Sequence, residues 1–249
     1  MSALDSVKFL RKSYAFWKER HFTGEYELQI LPQYVDRTKL AIDVGGNIGS
    51  YTWQLSRLAA EVVTFEPNPH YLGRLRALRL RNVRLEDVAL SDRTGVAPLR
   101  IPLAAGGAED EGMASIDDRA VPVEAVSREI DVRTRRLDDC ALGPVGFVKI
   151  DVEGHEEAVL RGARLTLERH RPVVLVEIEE RRNPGAVARI AADMRGLGFA
   201  GYFYKNSRKR RVETFEPARD QPDSLVWDRR RHTRRTFPFV NNFLFVPEL

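Results

Sequence analysis

Ala41-Ile42-Asp43-Val44-Gly45-Gly46-Asn47-Ile48-Gly49 is an apolar run closed by glycines, spaced D-x-G-x-N-x-G. Leu40–Val44 is short and continuously apolar, as a strand buried on both faces must be. Thr52, Leu55, Leu58 and Ala59 follow at helical spacing. The stretch therefore reads as strand, turn and helix. Its glycines permit positive φ and let the backbone approach a ligand closely.

Outward from this unit the same alternation recurs. Val62–Phe65 reads as a strand stopped by Pro67 and Pro69, with a helix through 70–80 and a third strand from Val83–Leu85 toward Ala89. Residues 91–135 break the rhythm: Gly95, Pro98, Pro102, Gly106, Gly107 and Glu109-Asp110-Glu111 punctuate short β-like pieces at Ala97–Ile101 and Ile130–Thr134. This predicts an inserted loop and hairpin region near the substrate. Val145–Ile150 and Val173–Ile178 are further strands. Val159, Leu160, Ala163 and Leu167 line one helix; Val187, Ile190, Ala191, Met194 and Leu197 line another. Gly201–Tyr204 and Phe243–Val246 read as a closing strand pair around an arginine-rich segment. Upstream, 3–20 and Glu25–Val35 read as helices.

Strands alternating with helices predict a mostly parallel, doubly wound, Rossmann-like α/β sheet of seven strands, covered on both faces. The expected organisation is one domain at 37–249, carrying the insertion at 91–135 and an N-terminal helical extension at 1–36. In such sheets ligands bind at the carboxyl ends of strands where the order reverses.

With 249 residues, 43% hydrophobic and 31% charged, the composition is that of a globular chain. The single cysteine, Cys140, excludes an intrachain disulfide and a multi-cysteine metal site. No run approaches transmembrane length and the N-terminal charges are too closely spaced for a signal-peptide core, so a soluble, cytoplasmic protein without a membrane partner is expected. The net charge is +4, with clusters at Arg208, Lys209, Arg210, Arg211 and at Arg229, Arg230, Arg231, Arg234, Arg235. Such clusters suit phosphates; a solvated arginine-rich face is the preferred reading.

Glu66 follows Gly49 by 17 residues, at the end of the next strand, right for an acid that accepts both ribose hydroxyls of an adenosine cofactor. NAD(P) and S-adenosylmethionine (SAM) both fit that much. The dinucleotide fingerprint is G-x-G-x-x-G, with a helix N-terminus open to pyrophosphate. Here Asp43 precedes the first glycine by two residues, which suits a methionine ammonium and is awkward beside a pyrophosphate. The charge pattern therefore favours SAM. Its candidate contacts are Asp43, Gly45, Gly46, Asn47 and Gly49 in the loop, Tyr51 and Thr52 on the helix, and Glu66, Pro67 and Asn68 after the second strand. Asp87 and Val88 near the third strand end and Asp151 complete the set.

Asp151, Glu153 and His155 follow strand Val145–Ile150, and Glu177 and Glu179 end the next one. If the chain stays extended, Asp151 and Glu153 share a face, as do Glu177 and Glu179. Asp151, Glu153, His155 and Glu177 are the candidate catalytic residues. They would serve as a general base, as ligands orienting substrate hydroxyls, or, through Asp151, Glu153 and Glu177, as a hard-cation site for Mg²⁺. The plainer alternatives are a helix-start role for His155 and salt bridges from Glu177 and Glu179 to Arg181 or Arg182. Asp138 and Asp139 read as loop caps.

Several stretches resemble the FkbM methyltransferases: Asp43–Tyr51, Phe65-Glu66-Pro67-Asn68, Val88-Ala89-Leu90-Ser91-Asp92, Leu137-Asp138-Asp139 and Lys149-Ile150-Asp151-Val152-Glu153-Gly154-His155-Glu156. Arg171-Pro172, Val176-Glu177-Ile178 and Asn242–Pro247 match as well. Gly46 departs from the pattern, where alanine is usual, a change expected to be harmless in a glycine-tolerant loop. The resemblance implies a Rossmann-like class I methyltransferase fold and SAM as donor. It implies a hydroxyl oxygen as acceptor, on a sugar, nucleotide-sugar, glycan or small secondary metabolite. The rival is an RNA methyltransferase using the arginine clusters, but no N-P-P-Y-type motif, zinc knuckle or RNA-binding aromatic motif is present.

Overall fold

The computed structural model describes residues 14–19, 25–102, 114–117, 127–222, 224 and 239–248. Most of the helix expected at 3–20, the punctuation at 106–111 and the cluster at 229–235 lie outside the described residues.

The ordered elements run α1 (Glu27–Tyr34), β1 (Leu40–Val44), α2 (Ser50–Leu55), β2 (Glu61–Phe65), α3 (Pro69–Arg76), β3 (Val83–Glu86), β4 (Ala89–Leu90), β5 (Gly95–Pro102) and β6 (Ser127–Arg135). Then follow β7 (Val145–Ile150), α4 (Glu156–Gly162), α5 (Arg164–His170), β8 (Val173–Glu177), α6 (Ala186–Gly196), β9 (Phe199–Lys205), β10 (Arg208–Arg211), α7 (Pro217–Asp220) and β11 (Asn242–Pro247).

The main sheet has eight strands in the order β10-β9-β11-β8-β7-β1-β2-β3. From β3 to β8 the pairing is parallel; β11 runs antiparallel between β8 and β9. The strand beyond the expected seven is β10, the first arginine cluster, which pairs antiparallel with β9 and is exposed along its length. A charged outer strand shields the sheet edge from pairing with other chains.

The insertion is a three-stranded sheet, β4-β6-β5, in which β5 and β6 form a long antiparallel ladder. The third strand stops at Glu86 instead of running to Ala89. Ala89 and Leu90 leave the main sheet and pair parallel with Thr134 and Arg135.

Strand alternation divides the core. In β1, Leu40, Ile42 and Val44 face one apolar layer and Ala41 faces the other, with Leu28, Leu31, Leu55 and Phe147. Asp43 and Lys149 alternate onto this second side and are partners in the β1–β7 register. The strand order reverses at β1 and β7, so the loops after β1, β2 and β7 meet at one edge of the sheet.

Candidate active site

The loop after β1 is fixed by close approach. Gly45 has φ +83°, and a Cβ there would overlap the Asp151 carbonyl of the loop after β7. Gly49, at φ +96°, starts α2. Asn47 (φ 46°) and Glu153 (φ 53°) also take left-handed conformations. Such backbone is held in place only by its surroundings and clusters at functional sites. Gly46 does not behave as a tolerant position. A Cβ there would overlap Thr64 Cγ2 and lie 3.0 Å from Leu75 Cδ1, so Thr64 fills the space that alanine would need.

Asp43 is buried and accepts a 2.5 Å hydrogen bond from Thr52 Oγ1. Burial pushes its carboxyl up to about 6, against the pull of Thr52 and Lys149. Tyr51 donates its hydroxyl to Glu25 at 2.7 Å, and Lys149 Nζ lies 4.9 Å from its ring centroid.

Glu66 ends β2, where Oε2 accepts the Asn47 amide and Oε1 the Asn68 amide, each at 2.8 Å. Burial raises it to about 7 despite these bonds. Asn68 caps α3 by accepting the His70 amide through Oδ1 at 3.0 Å. Among the described residues its buried Nδ2 has no hydrogen-bond partner, while the residue lines the cleft. A buried donor left unpaired is costly, so a ligand acceptor is expected beside it.

That cleft is open to solvent and spans about 620 Å³ between Glu66, Pro67, Asn68 and Tyr71 on one side and Asp151, Glu153 and His155 on the other. Leu90, Leu99 and Ile116 give it an apolar wall. A second hollow of about 570 Å³ on the far side of the loop is lined by Asp43, Glu25, Tyr51, Lys149 and Asp151. Asp87 is exposed and lines a neighbouring cleft with Arg133, and Val88 is packed in the core.

The acids after β7 and β8 are distributed differently from the extended-chain expectation. The positive φ at Glu153 and Gly154 turns the chain, so Asp151 and Glu153 do not share a strand face. Lys149, which sequence reading did not single out, is fully buried; its ammonium lies 3.6 Å from Asp151 Oδ2 and 4.0 Å from Glu177 Oε2. Glu177 also accepts from Asn241 Nδ2 at 2.6 Å. Arg182 bridges Glu153 at 2.8 Å and Glu179 at 3.0 Å. Burial, reinforced by Asp151, pushes the Glu153 carboxyl upward against this guanidinium.

Protein cations thus occupy the space between the acids proposed to hold Mg²⁺. No cluster of three or more acids, histidines or cysteines suited to a metal exists among the described residues. His155 does not cap α4 with its side chain; Nε2 lies 2.9 Å from Ser91 Oγ, and Nδ1 lies 4.0 Å from Asp117 Oδ2. Asp138 does not cap the loop that follows it but accepts the Leu165 and Thr166 amides at the start of α5.

This sheet order, with its glycine loop at the switch point and a buried acid closing β2, is the architecture of class I methyltransferases. The pattern of the FkbM methyltransferase domain matches residues 43–204, well over half of the sequence, and the chain belongs to that family. The hexuronic acid methyltransferase AglP of Haloferax volcanii is 29% identical over 188 residues, covering 71% of this chain and 72% of that protein. The crystal structure of methyltransferase FkbM from Methylobacillus flagellatus KT shares the fold, with a TM-score of 0.53 at 14% identity. The alignment takes in 96% of this chain, which spans 60% of the length of that one. No helix among the described residues is long and apolar enough to cross a membrane.

Proposed function

We propose that this chain transfers a methyl group from SAM to a hydroxyl oxygen of a sugar acid or a closely related saccharide. The observation that carries the reading is the Glu66 carboxylate lining the cleft together with the Asn68 side-chain amide, whose Nδ2 has no hydrogen-bond partner among the described residues. Each Glu66 oxygen keeps a lone pair beyond its backbone bond, and the amide supplies a donor. That set matches the two hydroxyls of an adenosine ribose. Gly45 and Asn47 bring backbone close to the ligand. Asp43 and Asp151 suit the cationic amino-acid end, and Pro67 and Tyr51 frame the site. Gly46, Gly49 and Thr52 act by holding the loop and Asp43 in place. Asp87 lines the neighbouring cleft and Val88 packs in the core, so neither side chain is assigned to the cofactor.

SAM, when bound, supplies an electrophilic methyl group on a sulfonium. The chain's own contribution is to align the acceptor hydroxyl and take its proton. Asp151 and Glu177 lie beside the buried Lys149 ammonium and Glu153 is bridged by Arg182, so all three acids are held by cations of the chain itself. His155, at the rim with its ring set against Ser91, is assigned as the base; Asp151, Glu153 and Glu177 shape and orient the acceptor end. The name of the Haloferax relative supports a hexuronic acid as acceptor class. Within the exposed β10 cluster Arg211 is bound to Glu213 and Tyr202, which supports a solvated edge over an RNA surface.

The test is transfer of a ¹³C-methyl label from SAM to methyl glycosides of hexuronic acids, with total RNA as the competing acceptor. Label in a ring-hydroxyl ether is expected. Label on RNA alone would refute the reading.

A further inference from the structure

Tyr202 and Tyr204 of β9 and Tyr34 of α1 pack against one apolar layer, on the side of the sheet that carries Asp43 and Lys149. All three are half-buried, as is Tyr26. The Tyr26 and Tyr204 ring centroids lie 5.2 Å apart, and the Tyr34 and Tyr204 hydroxyls 2.9 Å apart. Lys209, opposite Tyr204 in the β9–β10 ladder, sets its ammonium 3.9 Å from the Tyr202 ring centroid and 5.4 Å from that of Tyr34. The result is a stripe of tyrosines with a lysine at its outer end.

The stripe starts at the site. Glu25 lines the second hollow, and Tyr26 follows it in the chain. Strand β11 is antiparallel to both β8 and β9, so β9 points the same way as β7 and β8 and ends at the sheet edge where the site lies. Tyr204 is next to the last residue of β9, and Lys209 pairs with it there. From β9 to β7 is three strand spacings, about 14 Å. That is beyond one sugar ring but within reach of a short oligosaccharide.

Among the described residues Arg208, Lys209 and Arg210 enter no ion pair, whereas Arg211 is held by Glu213. Lys209 rests on tyrosine rings, which leaves its N–H groups to an anion from outside. Near the inner end, Glu25 accepts from Tyr51 and Asn242, and burial raises Glu27 to about 8, which keeps it uncharged at neutral pH. Tyrosine offers an apolar face and a polar rim, as the C–H faces and hydroxyls of a sugar require. The Tyr26 and Tyr204 rings are inclined at 50°, so they form no common platform for stacked bases. We propose that the stripe binds the uronate residues beyond the methylated one, which makes the acceptor an acidic oligosaccharide and not a lone sugar. Lys209 pairs with a carboxylate, and the tyrosines carry the rings between it and the hollow. The proposal rests on the saccharide reading of the site.

The test compares the methyl glycoside of galacturonic acid with tetragalacturonate as acceptors at saturating SAM. Both are also titrated calorimetrically into full-length protein saturated with S-adenosylhomocysteine. The tetramer should show the lower KM and the tighter binding. Lys209→Ala should raise the tetramer's KM about threefold, as loss of an exposed charge contact does, and Lys209→Glu about tenfold. Neither should change KM for the methyl glycoside or the melting temperature. Arg210→Glu makes the same charge change on the other face of β10 and should leave the tetramer's KM unmoved. Equal constants for the two saccharides, or equal losses in Lys209→Glu and Arg210→Glu, would overturn the proposal. So would Lys209-dependent binding of RNA or of phosphatidylglycerol vesicles without binding of the tetramer. Lys209-dependent tetramer binding with no methyl transfer to either saccharide would support the surface and sink the transfer reading alone, so the two failures are distinguishable.

Discussion

Lys149 Nζ stands 3.6 Å from Asp151 Oδ2 with no exposure to solvent, a buried cation at the end of the strand that feeds the site. Burial alone would lower its pKa; Asp151, Glu177, Glu25 and Asp43 outweigh that and raise it. Lys149→Met should leave these acids uncompensated and cost about 3 kcal/mol of stability, the lower end for breaking a buried pair because Asp151 is partly exposed. Chemical denaturation checks this. A loss below about 1 kcal/mol would mean that the ammonium is not the acids' main partner.

The packing of Thr64 against Gly46 makes a two-residue prediction. Gly46→Ala forces the new methyl onto Thr64 Cγ2 and should cost about 1–3 kcal/mol, as overpacking does. Thr64→Ser removes that carbon while keeping the hydroxyl that lies 3.2 Å from Thr52 Oγ1. The double variant should recover most of the loss, and a purely additive cycle would refute the coupling.

Burial, with Glu25 beside it, raises Glu27 to about 8 from an ordinary value of 4.5. A raised acid keeps its proton in the folded state while the unfolded chain has already lost it. Stability from this group is therefore full below about 4.5 and falls as pH rises to about 8. Glu27→Gln has no such dependence. Its melting temperature relative to the wild type should climb between pH 5 and pH 8; a constant offset would contradict the assignment.

Because cations of the chain itself compensate Asp151, Glu153 and Glu177, methyl transfer to a hexuronic acid glycoside should run undiminished in EDTA. Asp151→Asn should lower activity in the same assay with or without added Mg²⁺. Activity abolished by EDTA and restored by Mg²⁺ would reinstate the cation site.

What could be read from the sequence follows from burial. Leu40–Val44 and Val145–Ile150 are buried almost throughout, so their limits coincide with the ends of apolar runs. The charged β10 gives no such signal, because its register is imposed by β9. The loop and Glu66 were visible because local spacing carries them. Lys149 was not, since a lysine in an apolar strand reads as an edge residue until its partners on β8 and the following loop are known. Ser91 and His155 are 64 positions apart, and only the fold brings them together. The extended-chain argument for Asp151 and Glu153 failed on one residue, Glu153, whose positive φ sequence spacing does not reveal.

The site assignment rests most heavily on Glu66, and calorimetric titration with S-adenosylhomocysteine tests it most directly. The wild type should bind one equivalent while NADH binds far more weakly. Glu66→Gln should bind S-adenosylhomocysteine about 1.5 kcal/mol more weakly, roughly tenfold, through loss of a charged hydrogen-bond acceptor. Tight NADH binding with no response to S-adenosylhomocysteine, or an unchanged dissociation constant in Glu66→Gln, would contradict the account.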